Sequence, residues 1–277
     1  MRSKQLIICA GKAIAVAAIL IWSLVPILFM LTSSLKPSLD IFATPPRLIF
    51  TPTLDHYVNL FTKWGEFFGG LAHSVIVTAG TTILTIMAST LAGYAYSRYR
   101  GPAMTGSATF LIAIRLIPPI VITLPLFPAV NMLKLNDTLG LLILLYATFY
   151  VSVGSLLMRT FIDQIPRELD EAAMLDGAGP LDLLLRVIAP LAKPGILAVS
   201  VFVIVFAWNE YLFAFIFTST RAKTAPLVIS DMLASFDQID WGVLFAASTI
   251  QLMPILIFVL LMQRHLVAGL SAGATKG

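Results

Sequence analysis

The sequence predicts an all-α polytopic membrane protein with six transmembrane helices. Of its 277 residues, 58% are hydrophobic and only 12% are charged, proportions outside those of ordinary soluble domains. The apolar stretches are also long enough, because a helix of about 20 residues crosses roughly 30 Å of hydrocarbon. Six stretches approach or exceed that length, at residues 13–31, 71–95, 104–130, 138–158, 195–220 and 242–262.

The first stretch follows basic residues, as the apolar core of a secretory signal also does. Residues 13–31 are longer than a usual signal core, and no small-residue cleavage site follows them. We therefore expect a retained membrane anchor. In the segment after it, prolines exclude one continuous helix over the first half. The second half predicts an interfacial helix from its aromatic residues, Tyr57, Phe61, Trp64 and Phe67.

The distribution of basic residues predicts that both chain ends lie in the cytoplasm. Lys and Arg accumulate in cytoplasmic segments, and an even number of spans puts both ends on one side. Eleven basic residues fall in the N-terminal segment, the turn after the second span, the loop after the fourth and the C-terminal tail, against six in the opposite segments. Topology therefore explains the net charge of +4 better than nucleic-acid binding, which needs a clustered basic face. A single cysteine, Cys9, excludes an intrachain disulfide.

The third span combines prolines with a charge. Its prolines free backbone groups that are tolerated only beside protein or water, so they predict a bent helix near a cavity: Pro118, Pro119, Pro125 and Pro128. Arg115 lies about eleven residues into this span, near the bilayer midplane. An arginine at that depth normally faces a cavity or a charged partner.

The loop at residues 159–195 is the most polar part of the chain and contains six of its fourteen acidic residues. Pro166 suits a first helical position, Glu168 is favoured by the helix dipole, and Gly177 supplies the stop. A second helix is predicted to begin near Gly179 and to end at Pro190. Two short helices joined by a glycine predict a compact, rigid projection.

Residue spacing predicts one face for each loop helix. In the first helix, small and apolar residues recur every three or four positions, which gives a side that another protein can approach closely: Leu169, Ala172, Ala173 and Asp176. In the second helix, leucine and isoleucine are predicted to share one face: Leu181, Leu184, Leu185 and Ile188.

Residues 171–190 resemble the cytoplasmic coupling loop of permease subunits in bacterial ABC importers. That pattern is Glu-Ala-Ala, three residues, Gly, nine residues and Ile-x-Leu-Pro, and it matches here at Glu171, Ala172, Ala173, Gly177 and Pro190. Asp176 also fits, as does Ala178. Val187 and Ala189 replace Ile and Leu but remain apolar. The resemblance implies ATPase coupling through Glu168, Glu171, Ala172, Ala173, Asp176, Gly177 and Pro190.

Two further segments resemble carbohydrate importers. Residues 207–212 (Ala-Trp-Asn-Glu-Tyr-Leu) are similar to the Trp-Asn-acidic signature of these permeases, and residues 263–277 are similar to the tail of the maltose-permease G type. The resemblance implies the type I importer permease fold, with an N-terminal segment 1–70, a core 71–263 and a tail 264–277. It places the chain in the bacterial inner membrane and implies four kinds of partner: a homologous second permease, two ATP-binding subunits, a periplasmic or lipoprotein solute-binding protein, and a sugar.

The sequence contains no phosphate-binding loop of the form Gly-x-x-x-x-Gly-Lys-Ser/Thr. We therefore expect ATP and magnesium on the partner subunits, and a transport subunit with no cofactor, catalytic residue or metal site of its own. A membrane enzyme needs clustered catalytic or metal-binding groups. The three histidines are instead far apart in the sequence: His56, His73 and His265.

The candidate substrate pathway consists of Arg115 with residues of the fifth span: Trp208, Asn209, Glu210 and Tyr211. Trp208 and Tyr211, three residues apart, predict one helical face beside an amide, which suits a sugar. Aromatic residues at such spacing more often serve helix packing. Arg115 and Glu210 either form an ion pair or meet substrate, and Arg115 raises the possibility of an anionic sugar. An ion-coupled secondary sugar transporter is the alternative function, supported by Glu210 alone.

Overall fold

The computed structural model describes residues 2–234 and 239–274, and within them every regular element is a helix. A 3-10 turn, Ile114–Leu116, follows α5, and a π-helical stretch, Leu183–Ile188, follows α9. In chain order the helices are α1 (Arg2–Ser33), α2 (Ser38–Ile41), α3 (Asp55–Lys63), α4 (Glu66–Arg98), α5 (Pro102–Ala113), α6 (Pro119–Met132), α7 (Leu139–Ile162), α8 (Glu168–Leu175), α9 (Pro180–Asp182), α10 (Ala189–Leu191), α11 (Lys193–Trp208), α12 (Leu212–Phe217), α13 (Ala225–Ala234) and α14 (Trp241–Ala274).

Four helices of the described chain are long and apolar enough to cross a membrane: Gly11–Ser33, Glu66–Arg98, Leu139–Ile162 and Trp241–Gln263. They correspond to the predicted first, second, fourth and sixth spans. Two further pairs of helices qualify only as bent units, α5 with α6 at 97° and Pro180–Leu191 with α11 at 78°. If each bent pair is one span, the total is the predicted six. The predicted tail begins within α14, and residues 275–277 lie outside the described residues.

The bend in the third span confirms the prediction from its prolines. Ile117 and Pro118 are extended, with ψ angles of 122° and 133°, and α6 then begins at Pro119. A residue before proline is disfavoured in helical conformation, and Pro119 suits the first helical position. The Pro-Pro step therefore separates α5 from α6.

The prediction of one continuous helix over residues 195–220 is wrong. α11 ends at Trp208 and α12 begins at Leu212. The Glu210 carboxylate accepts hydrogen bonds from the backbone N–H of Phe213 at 2.9 Å and of Ala214 at 3.5 Å. A side chain that satisfies these otherwise unpaired donors favours a new helix start over continuation of the previous helix.

The chain forms two compact units, and the smaller comprises the described residues up to Phe67 together with Ile229–Met253. Here the predicted interfacial helix is α3, but its aromatic residues differ in environment, since Phe61 is exposed and Phe67 is fully buried. His56, also buried, lies with its Nε2 2.7 Å from the carbonyl oxygen of Lys36. A Cβ atom at Gly242 would clash with the His56 ring, so glycine is favoured there.

The larger unit comprises residues 68–228 and the described residues from Pro254 onward. Its core forms where small residues let helices approach closely. A Cβ atom at Gly154 of α7 would lie 2.3 Å from Ser89 Oγ of α4, and one at Gly195 of α11 would lie 2.8 Å from Phe161 Cβ of α7. The buried core continues from Ile162 at the end of α7 to Ile188 of the loop 159–195. This packing attaches that loop to the spans.

Asp137 joins two connections on the side of the larger unit where α6 meets α7. With a φ of +57°, it turns its carboxylate towards residues 219–222 and accepts their four backbone N–H groups at 3.0 to 3.3 Å. The hydroxyls of Ser219 and Thr220 also donate to it. Burial raises the pKa of this carboxyl, but the backbone hydrogen bonds outweigh burial and hold the pKa well below its usual range.

Candidate functional site

The loop 159–195 folds into the two helical pieces that its sequence predicts. α8 ends at Leu175, and Gly177, two residues later, has a φ of +87°, a conformation that L side chains rarely adopt. The N–H of Gly177 bonds to the carbonyl of Met174 and that of Ala178 to the carbonyl of Ala173, both at 3.0 Å. These two bonds form a Schellman motif, in which glycine is the favoured residue at the turn. Gly177 is therefore required by the backbone geometry.

The residues predicted to contact another protein are mostly exposed. Glu168, Glu171, Ala172, Asp176, Gly177 and Pro190 are all solvent-exposed. Ala173 is the exception, because it is partly buried and packs against the core of the larger unit. Ala173 is therefore only partly accessible on the face that the sequence predicts to be approachable. Leu175, at 89% exposed, extends the exposed surface with an apolar side chain.

The predicted face of the second loop helix is also wrong. Leu184 and Ile188 are buried, but Leu181 and Leu185 are exposed. The reason is the π-helical stretch, in which hydrogen bonding to the fifth residue brings positions five apart onto one side. Leu183 and Ile188 thus share the buried side, and Leu181 and Leu185 are left exposed.

A buried ion pair, which the sequence did not reveal, holds α8 in place. Arg98, the last residue of α4, forms a two-pronged contact with Asp170 of α8, at 2.6 Å from Nε to Oδ2 and 3.2 Å from Nη2 to Oδ1. Each side chain is only 8% exposed. Paired guanidinium and carboxylate groups of this geometry are strong and directional. Removing one partner from such a pair is costly because the other charge stays buried.

Arg98 and Arg167 also cap helix ends. Arg98 also donates to the carbonyls of Ile162, the last residue of α7, at 3.3 Å and of Ile165, three residues later, at 3.1 Å. Arg167 donates in turn to the carbonyl of Ser97 at 2.9 Å. Cations at helix C-termini satisfy unpaired carbonyls and complement the helix dipole. Arg98, Arg167 and Asp170, which we call the anchor cluster, therefore connect the ends of α4 and α7 with the start of α8.

Arg115 of the candidate pathway lies in the 3-10 turn between α5 and α6. Its Nη1 donates to the carbonyl of Phe149 at 3.1 Å and to Ser152 Oγ at 3.3 Å, both on α7. Its guanidinium also lies 4.6 Å from the centre of the Phe149 ring, within the range of a cation–π contact. Arg115 therefore fixes the bend of the third span against α7.

Arg115 and Glu210 form no ion pair with each other in the described chain. The Glu210 carboxylate accepts a hydrogen bond from the start of α12 and lies beside the buried Tyr146. Of the two alternatives, the ion pair is therefore not formed, and Arg115 and Glu210 each have separate partners.

Trp208, Asn209 and Tyr211 do not form the predicted helical face. Trp208 is buried at the end of α11 and lines an apolar cavity of about 380 Å³. The Asn209 side chain donates back to the carbonyl of Val205 at 2.8 Å. The Tyr211 ring stacks on Phe215, with centroids 5.4 Å apart. Because residues 209–211 are not helical, Trp208 and Tyr211 have different environments.

Comparison with known proteins identifies the type of membrane protein. Residues 85–272, more than half of the chain, match the family described as binding-protein-dependent transport system inner membrane component. The chain belongs to this family. It is therefore a multi-pass inner-membrane component of a binding-protein-dependent transport system, with the type I ABC permease fold. Membership favours an importer permease over the ion-coupled carrier.

Curated relatives cover nearly the whole chain. The trehalose transport system permease protein SugB of Mycobacterium tuberculosis is 34% identical over 92% of this chain and 93% of its own. The trehalose/maltose transport system permease protein MalG of Thermococcus litoralis is 31% identical over 99% and 98%. The sulfoquinovosyl glycerol transport system permease protein SmoH of Agrobacterium fabrum is 32% identical over 96% and 93%.

Proposed function

We propose that this chain is one permease subunit of an ATP-driven sugar importer and that its loop 159–195 receives force from an ATPase subunit. In this proposal ATP and magnesium bind to two partner subunits, a second permease completes the pathway, and a solute-binding protein delivers the sugar. Both chain ends and the loop 159–195 lie in the cytoplasm. The core 71–263 carries transport, with the segments 1–70 and 264–277 flanking it.

The observation that carries the proposal is the contrast between the two sides of α8. Glu171, Ala172 and Asp176 are exposed, while Asp170 is buried in the anchor cluster. A rigidly held helix with an exposed edge of small and acidic side chains suits docking into a cleft of another protein. Motion of that protein would then be transmitted through Arg98 and Arg167 to α4 and α7.

Adding bulk at Gly177 tests this coupling. We expect Gly177→Trp to abolish uptake in proteoliposomes of the assembled transporter, because tryptophan both blocks the docking edge and disfavours the φ of +87°. ATP hydrolysis stimulated by the solute-binding protein is expected to fall with uptake.

Gly106→Trp is the matched control. Gly106 lies in α5, and no atom lies within 4 Å of an added Cβ. This variant is expected to retain uptake and stimulated hydrolysis. Unchanged uptake in Gly177→Trp would overturn the coupling proposal.

The class of substrate is inferred from the relatives. The printed names of SugB and MalG refer to trehalose or maltose, and the name of SmoH refers to sulfoquinovosyl glycerol. We infer a sugar or glycoside, and the name of SmoH together with Arg115 favours an anionic one. Of the three guanidinium nitrogens of Arg115, only Nη1 donates hydrogen bonds to other described residues. The remaining N–H donors are left for an acidic group.

Arg115→Gln tests the anionic sugar. The change removes the positive charge but leaves a donor able to bond to the Phe149 carbonyl and Ser152. We expect uptake of an anionic glycoside to fall about tenfold or more, while uptake of a neutral disaccharide falls less. Equal effects on both sugars in a competition assay would remove the anionic assignment and leave Arg115 with its structural role.

A further inference from the structure

A cavity of about 870 Å³ lies in the larger unit, where the ends of α4 and α7 meet α5 and the segment leading into α8. Its volume falls within the range of pockets that bind organic ligands. It is separate from the candidate sugar pathway, since neither Arg115 nor Glu210 lines it.

One end of this cavity is basic. Its charged lining residues are Arg98, Arg100, Arg159, Arg167, Asp163 and Glu168. Because Arg98 is paired with Asp170, the four guanidinium groups and three carboxylates leave an excess of one positive charge. Arg100 is exposed, and its side chain forms no hydrogen bond or ion pair with any residue the structure describes. The ion pair of Arg159 with Asp163 is about half exposed, with 3.4 Å between Nε and Oδ2. Arg100 and Arg159 are therefore both accessible to an anion.

The wall that α5 contributes to the cavity is partly apolar, with Thr105 and Thr109 beside its apolar residues. Met104, Ala108 and Ile112 follow one face of α5 at intervals of four residues, and Leu156 faces them from α7. Ile112 lies ten residues beyond the start of α5, or about 15 Å along the helix. The cavity therefore extends from a charged end near the helix termini to an apolar wall within a membrane-spanning segment.

The combination selects an amphiphile. A free phosphate or a nucleotide would use the basic end but gain nothing from Ala108, Ile112 and Leu156. A phospholipid places its headgroup at the membrane boundary and its acyl chains in the hydrocarbon layer, and basic pockets between spans on the cytoplasmic side suit anionic headgroups. Tyr96 and Tyr99, which also line the cavity, are residues favoured at headgroup depth.

We propose that this cavity binds an anionic phospholipid of the cytoplasmic leaflet, with its headgroup between Arg100 and Arg159 and an acyl chain along α5. The proposal rests on the cytoplasmic placement of the loop 159–195 proposed above. Because Pro166 and Arg167 line the same cavity, the bound lipid would contact the segment that leads into α8.

The test measures lipid binding to the purified, assembled transporter by native mass spectrometry, with phosphatidylglycerol, phosphatidylcholine and inorganic phosphate as probes. We expect phosphatidylglycerol to be retained at least tenfold better than phosphatidylcholine, and inorganic phosphate not to displace it. Arg100→Gln and Arg159→Gln should each weaken phosphatidylglycerol binding about fivefold. Both positions are exposed, so the variants are expected to fold.

Arg186→Gln is the matched control, because Arg186 is an exposed arginine of the same loop that does not line the cavity. It should leave lipid binding unchanged. Equal retention of the two lipids, displacement by inorganic phosphate, or equal weakening by Arg186→Gln would each overturn the proposal. Burial of Arg100 and Arg159 against the second permease in the assembled transporter would also overturn the proposal, because a lipid headgroup could not then reach them. This experiment measures lipid binding, whereas Gly177→Trp tests uptake and ATP hydrolysis. A failure of the lipid proposal can therefore be distinguished from a failure of the coupling proposal.

Discussion

The carboxylate of Asp137 is held by four consecutive backbone N–H groups and two hydroxyls of residues 219–222. Asparagine at position 137 would have the same shape as aspartate, but its neutral amide oxygen is a weaker hydrogen-bond acceptor than the charged carboxylate. A hydrogen bond to a charged group contributes about 1.5–3 kcal/mol to stability. The connection between α6 and α7 is therefore expected to depend on this single side chain.

We predict that Asp137→Asn lowers the free energy of unfolding by about 1–3 kcal/mol. The pKa of this carboxyl is lower in the folded protein than in the unfolded chain, so its contribution is complete above the ordinary aspartate pKa of about 3.9. The difference between the two proteins should thus be constant from pH 8 to pH 5 and shrink as the pH falls below about 4. Thermal unfolding of the purified protein across this range measures it.

Asp182→Asn is the control for Asp137→Asn. Asp182 forms an exposed pair with Arg186, four residues later in the chain, and such surface pairs contribute little. Equal loss of stability in both variants would contradict the role assigned to Asp137.

Sequence reasoning at the residue scale succeeded where a residue acts through its own backbone. Gly177 was predicted correctly as a helix stop, because a helix stop is a local event. Pro166, predicted at the first position of the same helix, instead lies two residues before the start of α8. The pairing of Arg98 with Asp170 was not predicted, since 72 residues separate them in the chain. Their burial depends on how α4, α7 and α8 pack, which one sequence does not specify.

At the scale of elements, the anchor cluster makes α8 a rigid extension of α4 and α7. We predict that Asp170→Asn or Arg98→Gln lowers stability by about 3–5 kcal/mol, because each leaves a buried charge without its partner. Uptake should fall together with stability. Arg186→Gln, which breaks an exposed pair, is expected to change stability by less than about 1 kcal/mol.

The exchanged pair, Arg98→Asp with Asp170→Arg, separates charge from geometry. It restores opposite charges, but Asp at position 98 cannot donate to the carbonyls of Ile162 and Ile165. We therefore expect partial recovery of stability relative to either exchange alone, measured in a double-mutant cycle. Full recovery would show that the bonds to the end of α7 are unimportant, contrary to the arrangement described here.

Periodicity predicted the existence of most helices and failed at their interruptions. Four spans were predicted as single helices and are single helices, and the prolines identified the bend after α5. The break at residues 209–211 contains no proline or glycine. It depends on the Glu210 side chain bonding to the start of α12, a choice between local and helical hydrogen bonds that the apolar pattern does not record.

At the scale of the whole molecule, the family assignment and the six apolar segments agree with the membrane protein that composition predicts. Composition is sufficient here because burial in lipid demands long apolar helices whatever their packing. The partners are a different matter, since docking surfaces depend on exposed side chains. The exposed edge of α8 is the part of the chain whose partner we predict most specifically.

Cross-linking of the assembled transporter tests that prediction most directly. Cys9 is the only cysteine, so Cys9→Ser gives a background in which Ala172→Cys, on the exposed edge of α8, and Gly106→Cys, on α5, each carry one thiol. A short thiol-to-amine reagent is then applied, and the products are identified by mass spectrometry. We predict that position 172 becomes linked to the ATPase subunit and that position 106 does not. Linkage of position 172 only to the solute-binding protein, or to no partner while the complex stays assembled, would contradict the coupling role of the loop.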